Sequence, residues 1–166
     1  MKYKMDSLYI NKIVNESLSI EPRLINNKLD HHILKKLKDK YEGKCIKEGY
    51  IRKDSIKILN RSVGNIVSSH FNGNVIFHIR MSIELCNPLN NTVIDAQIIN
   101  NNKMGILAKI PHDEDSPLNI LLPRQYHIDN DEFVNSKEGD IVSVKILGTR
   151  FEFGETQISV IGVLDK

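Results

Sequence analysis

The longest regular pattern in the chain lies between Val75 and Cys86. Val75, Phe77, Ile79, Met81, Ile83 and Leu85 alternate with His78, Arg80, Ser82, Glu84 and Cys86, and Ile76 is the one large aliphatic on the second face. Successive side chains of a strand point to opposite faces, so this run predicts a strand with one buried and one wet face. Asn87-Pro88 ends it, because proline has no N–H for a ladder and holds the residue before it extended. A second run, Thr92 to Ile99, starts at once. Asn100-Asn101-Asn102-Lys103 is expected to turn it back into Met104 to Ile110, with asparagines taking the left-handed angles of a tight hairpin. One sheet is therefore expected to end at Pro88 and another to begin, dividing the chain into domains 1–88 and 89–166.

Upstream, Leu8, Ile10, Ile13 and Val14 predict an opening strand, bulged near Asn11-Lys12 and continued by Leu18 and Ile20. Glu21-Pro22-Arg23 turns the chain. A helix follows, with Leu29, Ile33, Leu34, Leu37 and Tyr41 on one face, Asn26 or Asn27 as its cap and Gly43 at its end. Lys35, Lys36, Lys38 and Lys40 spread over the remaining surface and read as a solvated face. Lys44 to Ile51 and Ser55 to Leu59 read as short strands. Asn60 to Asn74 looks like a loop, yet it holds Val63, Ile66, Val67 and Phe71 among Gly64 and Gly73. Such residues either fold back on their own core or plug into a partner, and the pattern alone leaves both open. The first half is thus an α+β domain, one helix on an antiparallel sheet, with a protruding loop.

The second half has the cadence of a small all-β barrel. Leu118 to Leu122, Ile141 to Leu147 and Gln157 to Leu164 join the two hairpin strands. Ile94, Ala96 and Ile98 share a face, as do Ile106, Ala108 and Ile110, then Val142, Val144 and Ile146, then Ile158 and Val160. Five short strands with inward alternation suit an OB-fold barrel, whose closure removes exposed edges. Arg124 to Gly139 is left for a helix or irregular connection. OB barrels bind single strands by stacking bases on aromatics and tracking phosphates with cations. The candidates here are Lys103, Lys109, Arg124, Tyr126, His127, Lys145 and Arg150.

Composition narrows the chemistry. A hydrophobic share of 40% and a charged share of 27% allow a packed core and do not indicate disorder. The net charge of +2 is no nucleic-acid signature unless the fold gathers the cations. Cys45 and Cys86 lack the paired spacing of a zinc or thioredoxin-like site, and read as reduced, buried thiols in the nucleus or cytoplasm. With no signal core, the sequons at Asn15, Asn60 and Asn90 carry no weight. His31 and His32 are adjacent, about 100° apart on a helix, and cannot share a metal as an i, i+4 pair would. Asp113-Glu114-Asp115 and Asp129 to Glu132 lack the spacing of an EF-hand. No phosphate-cradling glycine loop, zinc motif or nucleophile elbow is found, so the reading calls for no cofactor, no metal and no catalytic residue.

The chain resembles the seventh subunit of eukaryotic RNA polymerase II, the archaeal E subunit and their counterparts in the other nuclear polymerases. The resemblance is carried by Asp140 to Arg150 followed by Ile158 and Ile161-Gly162-Val163-Leu164, which look like the family's last two strands. It also rests on Glu42-Gly43-Lys44-Cys45 with Gly49-Tyr50-Ile51, on Glu21-Pro22-Arg23, and on Asn87-Pro88 with Val93 to Ile99 and Asn102 to Gly105. It runs over essentially the whole length, in order. The chain departs from the family at Ser68 to Asn72, where the tip usually has a proline, and at Asn119-Ile120-Leu121, where the third barrel strand usually has an aromatic. The resemblance implies a stalk subunit, not itself an enzyme, that docks a tip loop into the polymerase core and pairs with a helical fourth-subunit (archaeal F-type) partner. Its barrel would contact nascent single-stranded RNA. Carried over, core docking falls on Arg61, Val63, Gly64, Ile66, Val67 and Gly73. A compact version rich in Asn, Ile and Lys would suit a large DNA virus, placing it in a viral factory or virion, or else an AT-rich protist. The competing reading is a free-standing OB-fold RNA-binding protein in translation or RNA turnover.

Overall fold

The structure, a computed structural model, describes residues 2–3, 8–66 and 71–165. Its first elements are β1 (Lys2–Tyr3), β2 (Tyr9–Ile20), α1 (Leu29–Tyr41), β3 (Cys45–Ile46), β4 (Gly49–Ile51), β5 (Lys57–Arg61), β6 (Asn65–Ile66) and β7 (Val75–Cys86). The rest are β8 (Val93–Asn101), β9 (Gly105–Lys109), β10 (Leu118–Pro123), α2 (Asp131–Asn135), β11 (Ile141–Arg150) and β12 (Ile158–Leu164). They make two sheets. One has the order β2-β7-β4-β3, with β5 and β6 also paired to β7; the other is the barrel, with β1 added beside β8. The chain is thus an α+β domain with one principal helix and an OB-like barrel.

Two compact units emerge. One comprises Met1–Tyr9, Lys44–Tyr50 and Cys86–Lys166, the other Ile10–Gly43 and Ile51–Leu85. The contiguous division 1–88 and 89–166 differs from this grouping chiefly by two short segments. Hydrogen bonding accounts for one of them: the Cys45 N–H donates to the Glu155 carbonyl at 2.7 Å, and the Gly154 N–H donates back to the Cys45 carbonyl at 2.8 Å. The segment Lys44 to Ile51, expected as one strand, is a hairpin of β3 and β4 with Cys45 opposite Tyr50. Cys45, Tyr50 and Cys86 share the barrel's hydrophobic cluster.

In the barrel, β8 pairs antiparallel with both β9 and β11, β9 with β10, and β12 with β11, while β10 and β12 run parallel. The ring β8-β9-β10-β12-β11 is closed. Strand alternation turns Ile94, Ala96, Ile98, Ile106, Ala108, Ile120, Leu122, Val144, Ile146, Ile158 and Val160 inward, and all are buried. Bulges at Ile98/Asn100 and Ile146/Gly148 bend β8 and β11, as a strongly coiled barrel requires. The β8–β9 turn differs from expectation. Among the described non-glycine residues, positive φ occurs at Asp54, Asn91, His112 and Asp129, not at Asn100 to Asn102. The turn is closed by a reciprocal backbone pair between Asn102 and Gly105 (3.0 and 3.2 Å) together with the Asn102 side chain, whose Oδ1 accepts from the N–H groups of Met104 (2.9 Å) and Gly105 (3.2 Å). An asparagine side chain can imitate a backbone turn without left-handed angles.

In the other unit, β7 buries Phe77, Ile79, Met81, Ile83 and Leu85, and α1 buries Ile33, Leu37 and Tyr41. Both stripes are apolar where their periods, two and 3.6, place them on one side. The helix cap differs from expectation. Lys28 occupies the cap position without a side-chain bond, and Asn26 sits two residues earlier, its Oδ1 accepting the Lys28 N–H at 2.8 Å. Gly43, at φ 68°, lies just past the helix in the left-handed conformation that favours glycine. Ile10 and Ile13 are half-exposed, and the burial alternation of β2 changes phase at Ile10-Asn11, close to the expected bulge.

Candidate docking and nucleic-acid surfaces

The interval Asn60 to Asn74, expected as a loop, is mostly irregular among its described residues and carries two short pieces of strand. β5 runs to Arg61, and β6 pairs with the start of β7, Asn65 opposite Ile76 and Ile66 opposite Val75. Ile66 belongs to β6, Val63 precedes it and Phe71 stands just before β7. Val63 is 85% exposed, Ile66 72%, and Phe71 wholly exposed. They do not fold back on the unit's own core. Phe71 was absent from the docking set read from the sequence, although an aromatic beside Asn72-Gly73 could have marked it. Val67 lies outside the described residues.

Two members of the docking set have internal tasks. A Cβ on Gly64 would collide with Val75 Cγ1 and lie 2.9 Å from the Phe77 ring, so the missing side chain is what lets the hairpin lie against β7. Arg61 donates to Asp30 on α1, and its guanidinium stands 5.6 Å from the centre of the Phe77 ring. This ties the base of the tip to the helix. Gly73 turns the chain at φ 71°, beside Asn72, whose Oδ1 accepts the Asn74 N–H at 3.0 Å.

The seven barrel candidates separate. Lys103 occupies the β8–β9 turn. The Arg124 N–H donates to the Met104 carbonyl at 3.1 Å, and the Arg124 guanidinium reaches the Asn102 carbonyl at 3.5 Å. Tyr126, two residues on, is more than half exposed. These three gather at one end. Lys109 sits at the far end of β9, opposite Gln97. Lys145 and Arg150 lie on β11, which pairs with β8 and β12 and with neither β9 nor β10.

His127 is a correction: it belongs to the interior. Its Nδ1 is 2.8 Å from the Pro123 carbonyl, and its Nε2 accepts the Leu164 N–H at 3.0 Å. A backbone N–H can only donate, so Nε2 is unprotonated and Nδ1 carries the proton toward Pro123. The ring stacks on Phe133, centroids 4.3 Å apart and planes 15° from parallel. Phe133 is held by α2, whose cap Asn130 accepts the N–H groups of Glu132 and Phe133 at 3.1 and 3.3 Å. His127 thus closes the barrel end and presents nothing to a ligand.

Other chemistry is sparse. Among the described residues no group of three or more His, Cys, Asp or Glu could hold a metal. Burial, aided by Glu155, pushes the Cys45 thiol up to about 11. Burial, aided by Cys45 and Asp113, pushes Cys86 up to about 12. Both thiols therefore stay protonated at neutral pH and are poor nucleophiles. No helix among the described residues is long and apolar enough to cross a membrane.

Residues 15–51, the stretch holding the second half of β2, all of α1 and the β3–β4 hairpin, match the SHS2 domain found in the N terminus of Rpb7p/Rpc25p/MJ0397. The chain is also 25% identical, over 171 residues, to a protein of Acanthamoeba polyphaga mimivirus assigned as DNA-directed RNA polymerase subunit L376, with 95% of this chain and 82% of that protein covered. The match to the helix-bearing domain and the similarity along both halves agree with the two folds. On that basis the chain is similar to Rpb7-like RNA polymerase subunits over its helix-bearing segment, and to a viral RNA polymerase subunit over most of its length.

Proposed function

We propose that the chain is the non-catalytic stalk subunit of a multisubunit RNA polymerase, docking through its tip and contacting nascent RNA with one end of its barrel. The observation that supports docking is the exposure of Val63, Ile66 and Phe71 on a short hairpin whose base is anchored by Arg61 and Gly64. Three large apolar side chains left in water are best explained by a partner surface that covers them. RNA contact falls on Lys103, Arg124 and Tyr126, two cations and an exposed ring at one end, the pairing that holds a single strand by phosphate and base. Polymerase core subunits are the partners of the tip, and a helical F-type subunit is a further partner of the assembly. The protein works wherever its polymerase does, nucleus, cytoplasm or viral factory.

The test replaces Val63 and Ile66 together with Asp and purifies the polymerase from the source. Release of the variant from the large subunits, with an unchanged melting temperature, is the expected result. Co-elution of the variant with the core would remove the tip as anchor. Failure of the unaltered protein to recover any large subunit, together with tight binding of oligouridylate by the isolated chain, would favour the free-standing RNA-binding protein.

A further inference from the structure

We propose that the outer face of the barrel docks an acidic, amphipathic helical segment of a partner protein, through a row of residues that belongs to neither the docking set of the tip nor the RNA-contacting set. The outward side chains of an antiparallel barrel are ordinarily polar, and most are polar here. One row is not. Leu107 lies opposite Leu121, and Leu121 opposite Ile161. Ile99 extends the row on β8 at the Ile98/Asn100 bulge, and Leu147 extends it on β11 at the Ile146/Gly148 bulge. The five aliphatic side chains form a belt across five neighbouring strands, each between 37% and 44% exposed. Four inter-strand steps make it roughly 19 Å long, the length of about 13 helical residues.

The flanking rows define the occupant. Two residues along each strand, one side of the belt holds Gln97, Lys109, Asn119, Ser159 and, past the bulge, Arg150. The other side holds Asn101, Gly105, Pro123, Val163 and Lys145. Every ionisable group in these rows is a cation. Nearby carboxylates stand off the strands: Glu152, 3.5 Å from Arg150 in a well-exposed pair, and Asp113 and Glu114, which line a hollow with Lys109 and Ile99. An exposed pair of that kind is weak and leaves the arginine free to exchange partners.

A narrow apolar stripe flanked by positive charge complements a helix with leucines on one face and carboxylates beside them. It does not suit a nucleic acid, because bases are held through aromatic faces and the belt contains no ring. A belt one residue wide also falls short of the roughly 800 Å² per partner of a standard subunit interface, which argues for a slender segment over a second copy of the chain.

The experiment uses the whole chain and two labelled helical peptides of about 14 residues, one built of Leu and Glu, the other of Leu and Lys in the same pattern, read by fluorescence anisotropy. The Leu/Glu peptide is expected to bind at least about tenfold more tightly than the Leu/Lys peptide. Leu121→Asp should abolish that binding with the melting temperature unchanged. Lys109→Glu combined with Arg150→Glu should reverse the preference toward the Leu/Lys peptide. Equal binding of both peptides, retention by Leu121→Asp, or no reversal in the charge variant would overturn the proposal. So would displacement of the bound peptide by oligouridylate of equal span, which would give the face to nucleic acid.

Discussion

The tip and the His127 end of the barrel invert the usual placement of residue types. At the tip, Val63, Ile66 and Phe71 stand in water; at the barrel end, His127 is buried against Phe133. The difference lies in what the backbone leaves unsatisfied. Beside His127, the Leu164 N–H and the Pro123 carbonyl each need a partner, and one imidazole supplies both from its two ring nitrogens. At the tip the short strand β6 meets its backbone needs by pairing with β7, and no second layer stands over its side chains. Burial of a polar ring and exposure of apolar ones therefore have separate causes, one a local hydrogen-bonding demand and the other a missing layer.

Substitutions sharpen the contrast in decreasing order of their effect on stability. Phe133→Ala should lower it by about 3–5 kcal/mol, since it empties the plug of the barrel and strips His127 of its stacking partner; urea unfolding followed by circular dichroism measures this. His127→Ala should cost about 1–3 kcal/mol through the orphaned Leu164 N–H. Its affinity for oligouridylate should equal that of the unaltered chain, whereas Arg124→Ala should weaken that binding. A loss of RNA affinity in His127→Ala without a loss of stability would return the histidine to the ligand-contacting set.

The buried thiols test the barrel unit through pH. Unfolded cysteines ionise near their ordinary value of about 8.5, while the folded ones hold their protons up to about 11 and about 12. Stability is therefore complete below the unfolded value and falls as the pH rises from there toward the folded values. The slope is at most about 1.4 kcal/mol per pH unit for each thiol. Desolvation raises the Tyr41 and Tyr50 hydroxyls in the same direction. Denaturant midpoints should drop between about pH 8 and pH 10, and Cys86→Ala should flatten that dependence. The smallest change in stability belongs to the tip: Val63→Asp with Ile66→Asp should stay within about 0.5 kcal/mol, as exposed positions do, although docking is lost.

Legibility varied with the range of the interaction that decides each feature. The β7 run, the helix stripe of Ile33, Leu37 and Tyr41, and the inward rows of Ile94 to Ile98 and Val144 to Ile146 were readable because side-chain direction follows from a repeat of two or 3.6 along the chain. Turns were less so: Asn26 and Asn102 were placed near the right positions but given the wrong task, since asparagine can cap, turn left-handed or imitate a turn with its side chain. The candidate site was read least well. Seven barrel residues looked alike in one dimension, yet one is interior, three gather at one end and three flank the belt.

The sequence by itself determined which residues face inward along each strand and helix, the change of sheet at Asn87-Pro88 and the resemblance to the Rpb7-like subunits, because these depend on neighbours a few positions apart. Only the tertiary structure decided that Arg124 bonds to the turn that carries Lys103, that Ile99, Leu107, Leu121, Ile161 and Leu147 line up, and that His127 is enclosed. Those outcomes depend on barrel closure and strand register, which bring together residues tens of positions apart and which a single-residue bulge in β8 or β11 is enough to shift.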